Sequence, residues 1–567
     1  MKRIKKVFKY ILIILAILVI IIIFPIFSYK KEVNDNPLPL YYKKGVYHMH
    51  SVFSDGKGTI NEITTAAASL NLDFAILTDH GEPNIKSSTS TAYLNNVLLI
   101  GGSEFSLHSG HLAAMGYKLP DYIFPPEPQE AINEVIHDRG VCFISHPFDD
   151  RIPWTDWDIK GFTGLEVLSS YSCARRISFL KLIAFPLQYM LNSNYALVST
   201  LKYPGENVKK WDLLNSNSGD QSGRYYGIYA LDAHAKLPVT EKFQLNFPSY
   251  QAMFEILTLY VKVDKELEKD PYQAAGTIIS SLRKGNFFNV IEAIAPANGF
   301  EAWFIDNSGQ RFEMGSVSES SEGKLIILLP FRFKTDIIIK RSGKAYEQTM
   351  NNREKKLEIK VKGPGFYIIE VYVNKNKFNK LPWIMANPFF IAVKKSPSVP
   401  DKRDKIILKQ LLVNEKGFFK VEKNSRSRGA VTYEISDKDE LITSFTFKLV
   451  KESPGKKDFW SSLAVRKGFD FSNFTGFVFE ARSDKKQRFW AEFRTGSLGK
   501  EAWYRHSFLV ESEWKRFHIP FKKFHAIFKE NKPPMLPDIA SIFFSINNAN
   551  AYPGTEGSID FKNVGLY

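Results

Sequence analysis

The sequence predicts a multidomain protein of α/β plus all-β class: an α/β barrel over residues 44–285, a small β-sandwich over 286–395 and a second β domain over 411–567, preceded by one transmembrane helix. Three patterns predict it. Short apolar runs alternate with helical periodicity from Gly45 onwards, short alternating strands with Gly, Asn and Lys turns replace them beyond residue 285, and Ile11–Phe27 holds no charged residue. A chain of 567 residues is long enough for about three or four domains. Its 44% hydrophobic and 24% charged composition excludes wholesale disorder.

The N-terminal elements come first. Residues 1–9 are basic, 10–28 form the expected anchor, and 29–43, polar with two prolines, read as a tether. Bulky residues at Phe24-Pro25-Ile26-Phe27-Ser28 argue against a signal cleavage site, and the Lys/Arg excess ahead of the run keeps the N-terminus cytoplasmic with the bulk outside. The alternative is secretion after cleavage. Lys+Arg 76 against Asp+Glu 60 leaves a net charge of +16, which suits an anionic membrane or a phosphorylated substrate. Nucleic acid is disfavoured, because an anchor would hold the barrel away from it.

Within the barrel segment, strands are expected at 45–50, 73–80, 97–105, 111–117, 141–147, 164–169 and 225–234, in a largely parallel sheet. Apolar positions at three- and four-residue spacing predict helices over 60–71 and 128–140, and a further helical segment lies around 265–284. Residues 174–224 interrupt the alternation with the apolar stretch SFLKLIAFPLQYML and a Gly/Asn/Ser-rich segment. They are expected to form a helical cover near the site mouth, either packed on the domain or touching a membrane surface. Residues 396–410 read as a Pro/Lys-rich linker.

The polar residues fall where such a fold places chemistry. His48 and His50 close the first strand, Asp79 and His80 the second, Glu104 the third and His146 the fifth. Glu166 lies in the sixth, and Asp232 and His234 end the seventh. Residues two apart on a strand point the same way, so His48 with His50, and Asp232 with His234, can share one cation. Burying so many ionisable groups together is costly unless ions neutralise them. Two cysteines, Cys142 and Cys173, are too few for a thiolate cluster, so any metal site must use His, Asp and Glu. No G-x-S-x-G elbow supports a serine nucleophile.

The ordered set His48-Met49-His50-Ser51-x-x-Ser54-Asp55-Gly56, Thr78-Asp79-His80, Glu104, Gly110-His111-Leu112, Ser145-His146-Pro147 and Leu231-Asp232-Ala233-His234 resembles the PHP (polymerase and histidinol phosphatase) superfamily. The resemblance implies a distorted seven-stranded (β/α) barrel that hydrolyses phosphate mono- or diesters with two or three divalent ions, zinc, manganese or iron. It implies His48, His50, Glu104 and Asp232 at one metal, Glu104 bridging to a second held by His111 and His146, and Asp55, His80 and His234 at a third. His108 competes with His111 for its place. Clustered ions would activate a water and offset phosphoryl charge. Asp79 is a candidate proton relay or an orienting carboxylate, and Glu166 a catalytic candidate, an outer carboxylate or an ordinary buried one. Arg151, Arg175 and Arg176 could grip phosphate.

Glu513-Trp514-Lys515-Arg516-Phe517-x-Ile519-Pro520-Phe521, with the terminal Ile559-Asp560-Phe561-x-Asn563-Val564, resembles a galactose-binding-like jelly roll of the carbohydrate-binding kind. This implies a glycan partner, with Trp490, Trp503 and Tyr504 either stacking on sugars or filling the core. The substrate is then a phosphorylated small molecule or a cell-surface phosphoester. The alternatives are a non-enzymatic surface glycan-binding protein whose barrel keeps metals for structure, and a metal-dependent hydrolase of a non-phosphate bond.

Overall fold

The computed structural model describes residues 23–217, 223–238, 244–330, 334–373, 380–393, 408–413, 415–450, 459–496, 502–527, 534 and 536–567, with positions 7, 9, 10, 13 and 20. They divide into two compact units, Met1–Lys118 with Ile132–Ser398, and Leu119–Ala131 with Val399–Tyr567. The first is mixed α/β and the second all-β apart from short helical turns. The anchor expected over 10–28 lies largely outside the described residues. Among the described residues no helix is long and apolar enough to cross a membrane.

The first unit begins with strands β1 (Tyr42–Tyr47), β2 (Phe74–Leu77), β3 (Ala92–Leu94), β4 (Val97–Leu107), β5 (Gly110–Met115), β6 (Val141–Ile144), β7 (Gly164–Ser169) and β8 (Tyr226–Ala230). β2, β6, β7 and β8 are buried at every position, as continuous apolar runs covered on both faces should be. The sheet runs β1-β2-β4-β5-β6-β7-β8, so all seven expected strands are present, with β3 a short arm on β4. It is parallel except at β4–β5 and β5–β6. The reversal has a simple cause. Only His108 and Ser109 separate β4 from β5, a hairpin length that leaves no room for a crossover. It carries the amino end of β5, and so His111, to the same edge as the carboxyl ends of its neighbours. Beyond β8 the chain returns to β1: Met49 bridges Ala233, and the His50 amide donates to the Ala233 carbonyl at 2.9 Å.

Helix Ile60–Ser69 starts in a capping box, with Thr59 and Glu62 bonded reciprocally, and buries Ile63, Thr64 and Ala67. The helix expected around 265–284 spans Pro271–Lys284, because Asp270 caps it and Pro271 suits the first turn. The insertion folds as helices Ser170–Arg175, Phe179–Leu191, Ser193–Val198 and Gly205–Asn217, while part of its Gly/Asn/Ser-rich segment, 218–222, falls outside the described residues.

The boundary expected at 285/286 lies inside one hydrogen-bonded sheet. β1 pairs with Leu257–Lys262, that strand with Phe287–Ile291, and the latter with Ile384–Ala386, which leads on to Gly365–Val373. Of the described strands between 286 and 395, the four at 301–306, 311–312, 322–328 and 356–362 form a separate sheet. Two fully buried asparagines clamp this extension to the exposed ladder groups of β8. Asn289 Oδ1 accepts the Tyr229 amide at 2.7 Å and its Nδ2 donates to the Gly227 carbonyl at 2.9 Å. Asn387 Oδ1 accepts the Gly227 amide at 2.8 Å. Side-chain amides thus do what a further strand would have done.

The second unit holds two six-stranded antiparallel sheets around an aromatic core that includes Phe445, Phe477, Phe479, Phe493, Phe508, Phe544 and Phe561. Most of the linker expected over 396–410 lies outside the described residues, and Gln410–Leu411 already pairs with the last strand, Glu556–Leu566. Residues 119–131, which read as barrel sequence, belong to this unit: Tyr122 bridges Ala551, and Glu127 accepts the Ser507 amide at 3.0 Å. Of the three aromatics considered for sugar stacking, Tyr504 is core, stacked on Phe493, and Trp490 is buried with its Nε1 donating to Asn547. Trp503 alone of the three is partly exposed, donating to Glu492 at 3.1 Å beneath the Arg494 guanidinium.

Glu492 is fully buried, and burial, against the opposing pull of Arg505, pushes its carboxyl up to about 7. An acid raised in the fold keeps its proton there while the unfolded chain loses it. The contribution of Glu492 to the stability of the second unit should therefore be lost as pH rises from about 4.5 through 7, by up to about 3 kcal/mol. Urea unfolding at pH 5 and pH 8 should show the drop, and Glu492→Gln should flatten it.

Candidate metal centre

Strand ends and the loops after them gather the nine His, Asp and Glu side chains at one edge of the first unit. The loop after β1 makes the tightest turn. A Cβ on Gly56 would fall 2.2 Å from the His50 carbonyl oxygen, so only glycine lets Asp55 fold back over His50. His48, His146 and Asp232 all sit at positive φ, 65°, 29° and 52°, a conformation that costs such residues about 1–3 kcal/mol each. Strain concentrated on three members of one cluster marks a site rather than a packing accident.

His48 Nε2 and His50 Nε2 lie 3.1 Å apart. Glu104 Oε2 is 3.4 Å from each, and Asp232 Oδ1 is 3.5 and 3.3 Å from them. Four donors around a small divalent ion at about 2.0–2.1 Å would stand about 3.3–3.4 Å from one another, so this quartet has the spacing of one coordination shell. The other oxygen of Glu104 serves a second group, with His111 Nδ1 at 3.4 Å and His146 Nε2 at 3.3 Å. A third group is centred on Asp55 Oδ1, 3.2 Å from His234 Nε2 and 3.8 Å from both His80 Nε2 and His50 Nδ1. Because the Nε2 of His50 faces the first quartet, its Nδ1, 3.5 Å from Ser54 Oγ, belongs with that hydroxyl, which leaves Asp55, His80 and His234 as the third set. His80 also turns Nδ1 to Glu104 Oε2 at 3.3 Å. His108 is exposed at the hairpin tip, so His111 is the one brought to Glu104.

The donors fit a cation on their own chemistry. Glu104 Oε1, His80 Nδ1 and His111 Nδ1 are buried without a hydrogen-bond partner, an arrangement that costs a protein several kcal/mol unless an ion completes it. Burial opposes ionisation of Glu104, yet His48, His111 and His146 outweigh it and hold the carboxyl well below its ordinary range; Asp232 is held down similarly by His48 and His50. Burial also works against a charged His146, but Glu104 raises it to about 9, whereas burial takes His50 down to about 4. Glu104 and Asp232 therefore stay charged beside a charged His146.

The two catalytic candidates stand one layer back. Glu166 accepts from His48 Nδ1 at 2.5 Å and from the His146 amide at 2.8 Å, which fixes the His48 tautomer with Nε2 free to face the quartet. Asp79 accepts the Ser51 amide at 2.8 Å and the hydroxyls of Ser51 and Ser54 at 2.7 and 2.6 Å. Both of its oxygens are thus hydrogen-bonded within that loop. Replacing Glu166 by Gln should weaken metal binding about 10- to 100-fold in a competitive chelator titration, with circular dichroism unchanged. Unchanged affinity would confine Glu166 to holding the His146 backbone.

Arg175 is engaged by Asp149 at 3.1 Å and Arg176 by Asp150 at 2.6 Å, and Arg151 is exposed. Sequence reasoning missed Lys236, whose Nζ donates to the Asp55 carbonyl at 2.9 Å beside the third donor set. Its spacing, two beyond His234, was the available signal. It also missed Tyr171, whose ring lies 5.2 Å from that of His234 and which no spacing announces. A cavity of about 250 Å³ opens beside His146, bordered by Asp149, Arg176, Lys202, Glu206 and Asn207.

No family model and no curated protein matches the chain. Among solved structures, a two-domain protein of Bacteroides vulgatus containing a predicted PHP-like metal-dependent phosphoesterase is similar at 15% identity, covering 64% of this chain and 99% of that one, with a TM-score of 0.31. A family 11 carbohydrate-binding module of a cellulosomal cellulase of Clostridium thermocellum is similar at 15% identity over 28% of this chain and 92% of that one, TM-score 0.23. A family 30 carbohydrate-binding module follows at 14% identity, 24% and 73% coverage, TM-score 0.20.

Proposed function

We propose that the chain is a membrane-anchored, metal-dependent phosphoesterase that hydrolyses a phosphate mono- or diester. The observation that carries the reading is Glu104, whose two carboxylate oxygens face two different sets of imidazoles. In this reading His48, His50, Glu104 and Asp232 hold one divalent ion, Glu104, His111 and His146 a second, and Asp55, His80 and His234 a third. When bound, such ions supply activated water at neutral pH and charge to offset phosphoryl oxygens. The chain's own residues do the rest. Glu166 keeps His48 in one tautomer and Asp79 keeps the Ser51–Ser54 turn in place. Lys236 sets a cation at the edge of the third set, and the cavity beside His146 gives room for the part of the substrate beyond the reacting group. Lys236 at that edge favours an anionic ester over an amide or acyl ester. The N-terminal apolar run supplies the anchor, and the second unit is read as a glycan-binding module.

The metal-stripped chain should recover phosphate release when zinc, manganese or iron is restored, tested on a panel of phosphate mono- and diesters, with acyl esters and amides alongside. Faster turnover of an acyl ester would move the reading to a different bond. Full metal content with no turnover of any substrate would favour the surface-binding alternative.

A further inference from the structure

We infer that helix Phe179–Leu191 lies on the bilayer surface and seats the first unit against the membrane. The helix is apolar on both sides. Ala184, Phe185 and Gln188 face inward and are buried, with Phe185 and Tyr189 packed on Phe247. The opposite stripe of Leu180, Ile183, Leu187, Met190 and Leu191, with Phe179 ahead of it, faces out, and Phe179, Leu180 and Met190 are 74%, 79% and 84% exposed. A water-facing stripe at this spacing ordinarily carries charge. The one charged residue of the helix, Lys181, is turned back and donates to the Ser199 carbonyl. Thirteen residues make a rod about 20 Å long, which suits lying in an interface and falls short of crossing one.

What covers the stripe is indicated by the chain itself. The apolar N-terminal run enters the first unit close by. Ile26 is buried, and Tyr29 sets its ring 5.8 Å from Tyr195, on the helix Ser193–Val198 that follows Phe179–Leu191 after the single residue Asn192. Phe24 and Phe27 are exposed at the same entry, and exposed Lys30 stands just beyond, placed for lipid headgroups. The end of the anchor and the outward stripe thus belong to neighbouring elements, and the lipid that would receive the one is within reach of the other. The inference rests on the anchored reading, and the test separates the two.

The full chain, with Cys173→Ala and Met190→Cys carrying a bimane, is reconstituted in phosphatidylcholine–phosphatidylglycerol vesicles containing a nitroxide lipid. Cys142 is buried and stays unlabelled. Tyr272→Cys, on helix Pro271–Lys284 and 61% exposed, is the comparison. Lipid quenching at 190 should exceed that at 272 by about threefold or more. Retention of the chain on vesicles after alkaline carbonate reports the anchor separately. Retention with equal, weak quenching at both sites overturns the inference and leaves the anchor. Quenching at 190 with release by carbonate keeps the inference and overturns the anchor. A probe at 190 shielded from aqueous iodide yet unquenched by lipid would assign the stripe to a second copy or to the N-terminal run, and also overturns it.

Discussion

Glu104→Gln should lower turnover by about a thousandfold or more, because an amide cannot serve two cation sets as an anion, and the loss of several kcal/mol of charge stabilisation translates directly into rate. The substitution keeps shape and volume at a position that is 1% exposed. Metal content, measured by elemental analysis, should fall by at least one ion per chain while circular dichroism stays as in the parent. His48→Ala combined with His50→Ala should empty the first set alone. Turnover of the Gln variant within tenfold of the parent would remove the bridging role, since the unpartnered Oε1 and the quartet oxygen Oε2 belong to the same carboxylate.

Asn289→Leu should cost the first unit about 3–5 kcal/mol, the largest stability effect expected outside the metal centre. The leucine matches the asparagine in size but strands the Tyr229 amide and the Gly227 carbonyl in a fully buried place, each at about 1–3 kcal/mol. The urea midpoint followed by fluorescence reads the change. Asn387→Leu should cost less, because it strands two backbone groups, the Gly227 amide and the Phe287 carbonyl, whereas Asn289 also donates to the Met385 carbonyl at 3.3 Å. The double variant should lose less than the sum, since both clamp one edge. A loss under 1 kcal/mol for Asn289→Leu would mean that β8 finds other partners.

Local pattern was enough to place the strands β1, β2 and β4–β8 and the residues at their ends. A strand buried on both faces has to be written as a continuous apolar run, and a strand end has to be where a polar residue can reach solvent or an ion, so His48, His50, Glu104, His146, Asp232 and His234 were legible as a set. The capping box of Ile60–Ser69 and the Asp270-Pro271 start of helix Pro271–Lys284 are equally local and equally readable.

Tertiary structure alone decided which nitrogen faces which oxygen. The tautomer of His48 depends on Glu166, 118 residues away along the chain, and that distance leaves no trace in spacing. The reversal of β5, which makes His111 rather than His108 the neighbour of Glu104, follows from a two-residue hairpin whose consequence appears only once the strands are paired. The same holds for the strands after residue 285. Their alternation announced an all-β segment, but that they continue the sheet of β1 and reach β8 through two buried amides depended on long-range pairing. Residues 119–131 show the limit most clearly. They read as part of the first domain, running into the helix expected over 128–140, and hydrogen bonds to Ser507 and Asn550, several hundred positions later, assign them to the C-terminal unit. Periodicity is short-ranged and reports which face of an element is apolar, whereas partners are chosen by long-range complementarity that a single sequence does not display.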